Sequence, residues 1–280
     1  MKQIIILMSL VFALVSCNTN KRRNIVILVD NSASISEEII QRYIVTIQGT
    51  ILPNMGQKDK LTLQFIDGCS QVKAERIFAF DLAEMDFQND ADGINHKADS
   101  SNRRQMLYMA EITDKLARQV VDKRRERKNC GQYTDIINAT IEARTLVENG
   151  KNYGNTTKQV VNSINGNENY VYETYFIIFS DMVNEDRLQT YDFTSFGKLK
   201  REDVEKKVTE LKEQNKIPDL ANVKVIVYGA TSTNKAGSYV GKQIENIKYF
   251  WELYFQSAGA DLIGYGYDTE LELKKYLTQE

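Results

Sequence analysis

The chain has 280 residues, enough for one large α/β domain or two small ones, with ample length to bury a core. Apolar residues make up 42% and charged residues 26%, and the net charge of −2 supplies no basic field to favour nucleic acid. The single histidine, His96, lies in a polar stretch and is expected at the surface, so chemistry built on histidine clusters is excluded.

The chain begins Met1-Lys2, and Ile4 to Val15 form an apolar run too short to span a bilayer but suited to a signal-peptide core. The run ends in Leu14-Val15-Ser16-Cys17, which resembles the lipobox of bacterial lipoproteins. That resemblance implies a signal peptide over 1–16, a lipidated Cys17, a tether over 17–23 and a folded domain over 24–280. It also implies a cell-envelope location, on the periplasmic face or the outer-membrane surface, with Lys21-Arg22-Arg23 free to rest on anionic headgroups. In such an oxidising compartment the other two cysteines, Cys69 and Cys130, are able to pair, and without a Cys-x-x-Cys motif they do not read as a zinc site.

Ile25-Val26-Ile27-Leu28-Val29 is a continuous apolar, mostly β-branched run, the pattern of a strand buried on both faces. It delivers Asp30, Ser32 and Ser34 to the strand's carboxyl end, three hard oxygen donors that suit Mg2+. The same residues also admit a plainer reading, because Ser34 and Glu37 have the spacing of a helix capping box. A helix is expected over 36–52, closed by Pro53, then a strand over 61–66 and a hairpin partner over 72–80 with Val72, Ala74, Phe78 and Phe80 alternating. Residues 81–100 read as a solvated loop; Asn89-Asp90-Ala91-Asp92-Gly93 resembles the start of a calcium loop but lacks its closing glutamate. A long helix over 103–128 ends in the basic run Lys123 to Lys128, read as a solvated face favourable to the helix dipole.

A helix over 135–147 follows Thr134, and residues 149–171 read as an exposed Asn/Gly/Thr-rich excursion. Tyr175 to Phe179 form a second buried strand that delivers Ser180-Asp181. Residues 182–198 read as an irregular polar loop. Helices over 198–214, 239–255 and 269–277 alternate with strands over 223–228 and 260–265. The alternation predicts one doubly wound α/β domain with a mostly parallel central sheet, one antiparallel edge strand and helices on both faces.

Two buried strands thus each end in an aspartate, Asp30 and Asp181, with Thr134 at a helix start between them. Two carboxylates converging on one crevice would repel unless a cation joined them. In this arrangement the sequence resembles a von Willebrand factor A domain with a metal-ion-dependent adhesion site. Asp30, Ser32 and Ser34 match its Asp-x-Ser-x-Ser motif, Thr134 its lone threonine and Asp181 its third-loop aspartate. The resemblance implies that Ser32, Ser34 and Thr134 ligate Mg2+ (or Mn2+ or Ca2+) directly, with Asp30 and Asp181 acting largely through water. It further implies a non-enzymatic adhesion or scaffolding role, in which an Asp or Glu of a partner protein completes the coordination. Cys69 and Cys130 would fall at the same end and form a disulfide bracing the Thr134 loop. Met182, where the family usually has glycine, and Gly131-Gln132-Tyr133, in place of a glycine pair, depart from its pattern. Two alternatives stay open. A Mg2+-dependent phosphohydrolase also carries an aspartate after its first strand, although Ser32 replaces the second aspartate of the haloacid dehalogenase motif. The other is a degenerate, metal-free scaffold.

Overall fold

The computed structural model describes residues 20–56, 59–70, 76–81, 96–155, 170–188, 191–230 and 240–278. The expected signal segment, Cys17 and the stretch resembling a calcium loop lie outside the described residues. Six strands form one sheet: β1 (Asn20–Asp30), β2 (Lys60–Ile66), β3 (Arg76–Asp81), β4 (Tyr170–Phe179), β5 (Lys224–Tyr228) and β6 (Asp261–Gly266). Their order is β3-β2-β1-β4-β5-β6, parallel throughout except for the antiparallel edge strand β3.

The helices are α1 (Glu37–Thr46), α2 (His96–Glu126), α3 (Ile136–Asn155), α4 (Arg201–Glu213), α5 (Val240–Ser257) and α6 (Glu270–Leu277). Alternation along β1 explains the two cores. Ile25, Ile27 and Val29 pack with Tyr43 and Ile44 of α1, Leu116 and Val120 of α2 and Leu273 of α6. Val26 and Leu28 face the opposite layer, which holds Ile136 of α3, Val204 of α4 and Phe250 and Trp251 of α5. A strand packed on both sides has no polar face, which is why β1 and β4 read as unbroken apolar runs.

The chain winds outward from β1 in one direction through β2 and β3, and in the other through β4, β5 and β6. The direction reverses between β1 and β4, so their carboxyl ends border the crevice where ligands of doubly wound sheets bind. Asp30 ends β1, and Ser180-Asp181 follow β4 directly.

Several expectations need correction. β1 starts at Asn20, inside the expected tether, because residues 20–23 pair with Tyr170 to Glu173. Arg23 is buried rather than free for headgroups: its guanidinium forks onto Asp59 and donates to the carbonyls of Leu277 and Asn54. The first helix is α-helical only to Thr46; a π turn (Ile47–Ile51) and a 3-10 turn (Leu52–Asn54) containing Pro53 complete it. Of the expected hairpin partner, Arg76–Asp81 is described, with Val72 and Ala74 outside the described residues, and its alternation is broken. Phe78 pairs with Leu63 and Arg76 with Gln64, so Ile77 is a bulge residue and is buried beside Phe78. Helix α2 begins at His96, inside the expected loop, and α3 runs on to Asn155, into the expected excursion. Residues 182–198 are not a polar loop. Phe193 and Phe196, in a 3-10 turn (Phe193–Lys198), are fully buried against Phe250, with centroids 4.7 and 5.7 Å from its ring. They lie three residues apart, as on a helix face, but a single such pair among Asp192, Thr194 and Ser195 is too short a pattern to mark a core element.

Candidate metal centre

Asp30 is fully buried at the end of β1. One carboxylate oxygen accepts from the Ser32 backbone N–H at 2.9 Å and the other from the Ser180 hydroxyl at 2.7 Å. Burial pushes the Asp30 carboxyl above the usual carboxylate range, against the pull of these bonds and of the Arg124 charge. Asp181 accepts from the Val183 N–H at 2.9 Å. Its carboxyl is pushed up to about 7, first by burial and then by the negative charge of Asp30. Among the described residues, no lysine or arginine forms an ion pair with either carboxylate. The Arg124 charge acts on Asp30 without pairing with it, so the two carboxylates share the crevice with no direct counter-ion among the described residues.

The two serines are not spent on the helix start. Ser36 caps α1, accepting from the Ile39 N–H, whereas Ser34 bonds to Ser32, their hydroxyl oxygens 2.8 Å apart. The capping-box reading of Ser34 is thereby replaced. Ser32 is buried and Ser34 is exposed, so the hydroxyl pair runs from the crevice to its rim.

Hydrogen bonds join the three loops in a ring. The Ala33 N–H donates to the Gly131 carbonyl at 2.7 Å, tying the β1–α1 loop to the α2–α3 loop. Thr134 and Glu185 exchange two backbone bonds, of 3.0 and 2.8 Å, tying that loop to the one after β4. The Ser180–Asp30 bond closes the ring. Asp30, Ser32, Ser34, Thr134 and Asp181 are thus brought to one end of the sheet by contacts independent of any ligand.

Two residues that depart from the resemblance are explained locally. Met182 has φ +65°, the left-handed conformation that favours glycine, yet its side chain is fully buried and its carbonyl accepts from the Trp251 indole at 2.9 Å. Burial of a methionine, worth roughly 1.5–3 kcal/mol, offsets a left-handed penalty of about 1–2 kcal/mol. Gly131 is needed for close approach, since a Cβ there would stand 2.8 Å from the Asn31 carbonyl oxygen. Gly131→Ala is expected to push the first two loops apart and lower stability by about 1–3 kcal/mol, measurable as a reduced urea midpoint. An unchanged midpoint would show that the loops part freely.

The helix start behind Thr134 is held by residues not singled out from the sequence. Asp135 accepts from the Asn138 N–H at 3.1 Å, and the buried Asn184 side chain accepts from the Ile136 N–H at 2.8 Å. Asn184 works as a cap from 48 residues away in the chain, so no local capping pattern could have revealed it.

Cys69 and Cys130 are bridged, with Cα atoms 5.3 Å apart, fastening the turn after β2 to the loop that leads to Thr134. Asp67, Cys69 and Cys130 come near enough to hold a metal. The sulfurs are committed to each other, however, and both Asp67 oxygens to Arg127, at 2.8 Å each. The donor chemistry of a hard cation is found instead at Asp30, Asp181 and the hydroxyls of Ser32, Ser34 and Thr134.

No family model matches the chain, and no curated protein does. Among solved structures 49 chains match. They include proximal thread matrix protein 1 from the mussel byssus, at TM-score 0.37 and 13% identity over 93% of this chain and 46% of that one. A second crystal form of the same protein gives TM-score 0.35 and 14% identity over 92% and 47%. The pilus adhesin SpaC from Lactobacillus rhamnosus GG, in its open conformation, gives TM-score 0.39 and 12% identity over 92% of this chain and 29% of that one. The chain spans less than half the length of these proteins.

Proposed function

We propose that this chain is a non-enzymatic binding protein that holds a divalent cation, Mg2+ or in its place Mn2+ or Ca2+, and uses it to capture an acidic side chain of a partner protein. The observation that carries the reading is the fully buried Asp30 carboxylate with the half-buried Asp181 beside it, the charge of the first raising the proton affinity of the second, with no cationic side chain paired to either among the described residues. Ser32, Ser34 and Thr134 would offer neutral hydroxyls to the same ion. When bound, the cation supplies a Lewis-acidic position that accepts a carboxylate oxygen. The protein's own part is to fix five oxygen-bearing residues on three mutually bonded loops. The ring of hydrogen bonds is made among the protein's own groups, which favours binding by limiting the loops' freedom.

The lipobox at Cys17 supports a cell-envelope location with a lipid anchor, and the net charge of −2 supports a protein rather than a nucleic acid as partner. Among the described residues no helix is long and apolar enough to cross a membrane.

Thermal melts with and without Mg2+ test the reading. A ligand at 100 times its Kd that binds only the folded state stabilises by about 2.7 kcal/mol, so the melting temperature should rise with Mg2+ and return with EDTA. The rise should also depend on pH. Asp181 ordinarily titrates near 3.8 and in the fold at about 7. In metal-free protein its contribution to stability is therefore fully present below pH 3.8 and lost as pH climbs through 7. The cation competes with that proton, so Mg2+ stabilisation should be small at pH 5 and grow towards pH 8. A melting temperature indifferent to Mg2+, Mn2+ and Ca2+ at pH 8 would leave a metal-free scaffold as the function.

A further inference from the structure

The basic run that ends α2 does not form a uniformly solvated face. Arg125 points outward, its side chain 79% exposed, whereas Arg124 and Arg127 turn inward with side chains only 14% and 12% exposed. The Arg124 guanidinium spreads over the whole β1–α1 loop. Nη1 donates to the Asn31 side-chain oxygen at 3.1 Å, Nη2 to the Ile35 carbonyl at 2.6 Å and Nε to Glu37 at 3.0 Å. Those three acceptors bracket Ser32 and Ser34. Arg127 supports the same loop from below: it forks onto Asp67, whose carboxylate also accepts from the Asn31 amide at 3.4 Å and the Cys69 N–H at 3.0 Å.

We infer that Arg124 is a positioning residue for the proposed cation site, its planar fork setting the curvature of the Asp30–Ser36 loop so that the Ser32 and Ser34 hydroxyls face the same point. This rests on the cation-binding reading given above for Asp30, Ser32 and Ser34. Charge alone does not explain the placement, because a cation beside a metal site repels the metal. What Arg124 contributes is geometry: three donors at fixed angles, reaching acceptors on residues 31, 35 and 37 at once. Lysine carries the same charge as a single compact point on a flexible stem and cannot bridge three acceptors so spread. Residues that orient ligands from behind typically govern metal affinity by about 10–100-fold.

The test uses Arg124→Lys, Arg124→Gln and, as the outward control of equal charge, Arg125→Gln, in the disulfide-bonded protein. Two readouts are taken. The first is hydrogen exchange of the Ala33 and Ile35 amides in EDTA; these bond to the Gly131 and Ser32 carbonyls, so they report loop geometry without any metal. The second is the Mg2+ affinity from thermal-shift titration at pH 8. Both Arg124 variants should exchange these amides about tenfold faster and bind Mg2+ about tenfold more weakly, while Arg125→Gln matches the wild type in both. Faster exchange in a protein whose wild type ignores Mg2+ would uphold the loop-setting role and overturn the cation reading instead. Unchanged exchange and unchanged Mg2+ affinity in Arg124→Lys would overturn the inference. So would a loss of Mg2+ affinity in Arg124→Gln alone, since lysine would then serve as well as the fork.

Discussion

Replacing Asp181 by Asn is expected to raise the melting temperature of the metal-free protein at pH 8 and to abolish its response to Mg2+. Both effects have one cause. At pH 8 a carboxylate that titrates at about 7 is mostly ionised, beside the buried Asp30, at a cost the fold bears in the absence of a counter-charge. The amide keeps an oxygen able to accept from the Val183 N–H, so the turn after β4 is retained while the charge goes. A carboxyl that titrates one pH unit higher in the fold than in the unfolded chain holds its proton about 1.4 kcal/mol more tightly there. Solvent at the partly exposed Asp181 screens some of the repulsion, so a gain of roughly 1–3 kcal/mol is expected. For a domain of this size that is about 2–4 °C per kcal/mol. Most site mutations lower stability, which makes a gain coupled to a loss of ligand response diagnostic of two carboxylates held together for a cation. A variant that melts lower yet still responds to Mg2+ would show that Asp181 serves the fold and not the ion.

Arg23→Met should have the opposite sign and the larger size. Arg23 and Asp59 are almost entirely buried, and Asp59 accepts from the Arg23 backbone N–H at 2.7 Å, from the Arg23 side chain at 2.8 Å and from the Gly56 N–H at 2.8 Å. Removing the guanidinium leaves the buried carboxylate without its counter-charge, held by two backbone N–H groups alone, and the Leu277 and Asn54 carbonyls without this donor. Breaking one side of such a pair costs about 3–5 kcal/mol, read as a fall in the urea midpoint. Adding Asp59→Asn should recover part of the loss, because the amide oxygen still accepts a backbone N–H and no charge is stranded. If the single variant is as stable as the wild type, residues 20–23 are not integral to the sheet.

The contrast between these two sites shows what the sequence makes legible. Asp30 and Asp181 stand out because each ends an unbroken apolar run, and such runs have few explanations other than a central parallel strand. The order of strands and helices follows from the same periodicity. Arg23 is hidden because a basic triplet soon after an amino-terminal apolar run looks like a solvated tether, and its partner lies 36 residues on. Arg124 and Arg127 are hidden for a related reason. Neighbours on a helix differ in facing by about 100°. The five basic residues among Lys123 to Lys128 therefore cannot all face outward, and composition does not say which turn in. Phe193 and Phe196 lie three apart on a short 3-10 turn, one apolar pair among polar neighbours and too little to mark a core element. Asn184 caps a helix distant in sequence. In each case what is hidden is a pairing across the chain, whereas what is visible is a local pattern.

Strand β1 has one further consequence. It runs for 11 residues from Asn20 to Asp30, about 35 Å at the usual rise of a strand, and it enters the sheet at the pole opposite the carboxylates. The proposed lipid anchor at Cys17 therefore precedes the end of the sheet remote from Asp30, so the proposed capture site and the proposed mooring lie towards opposite poles of the domain.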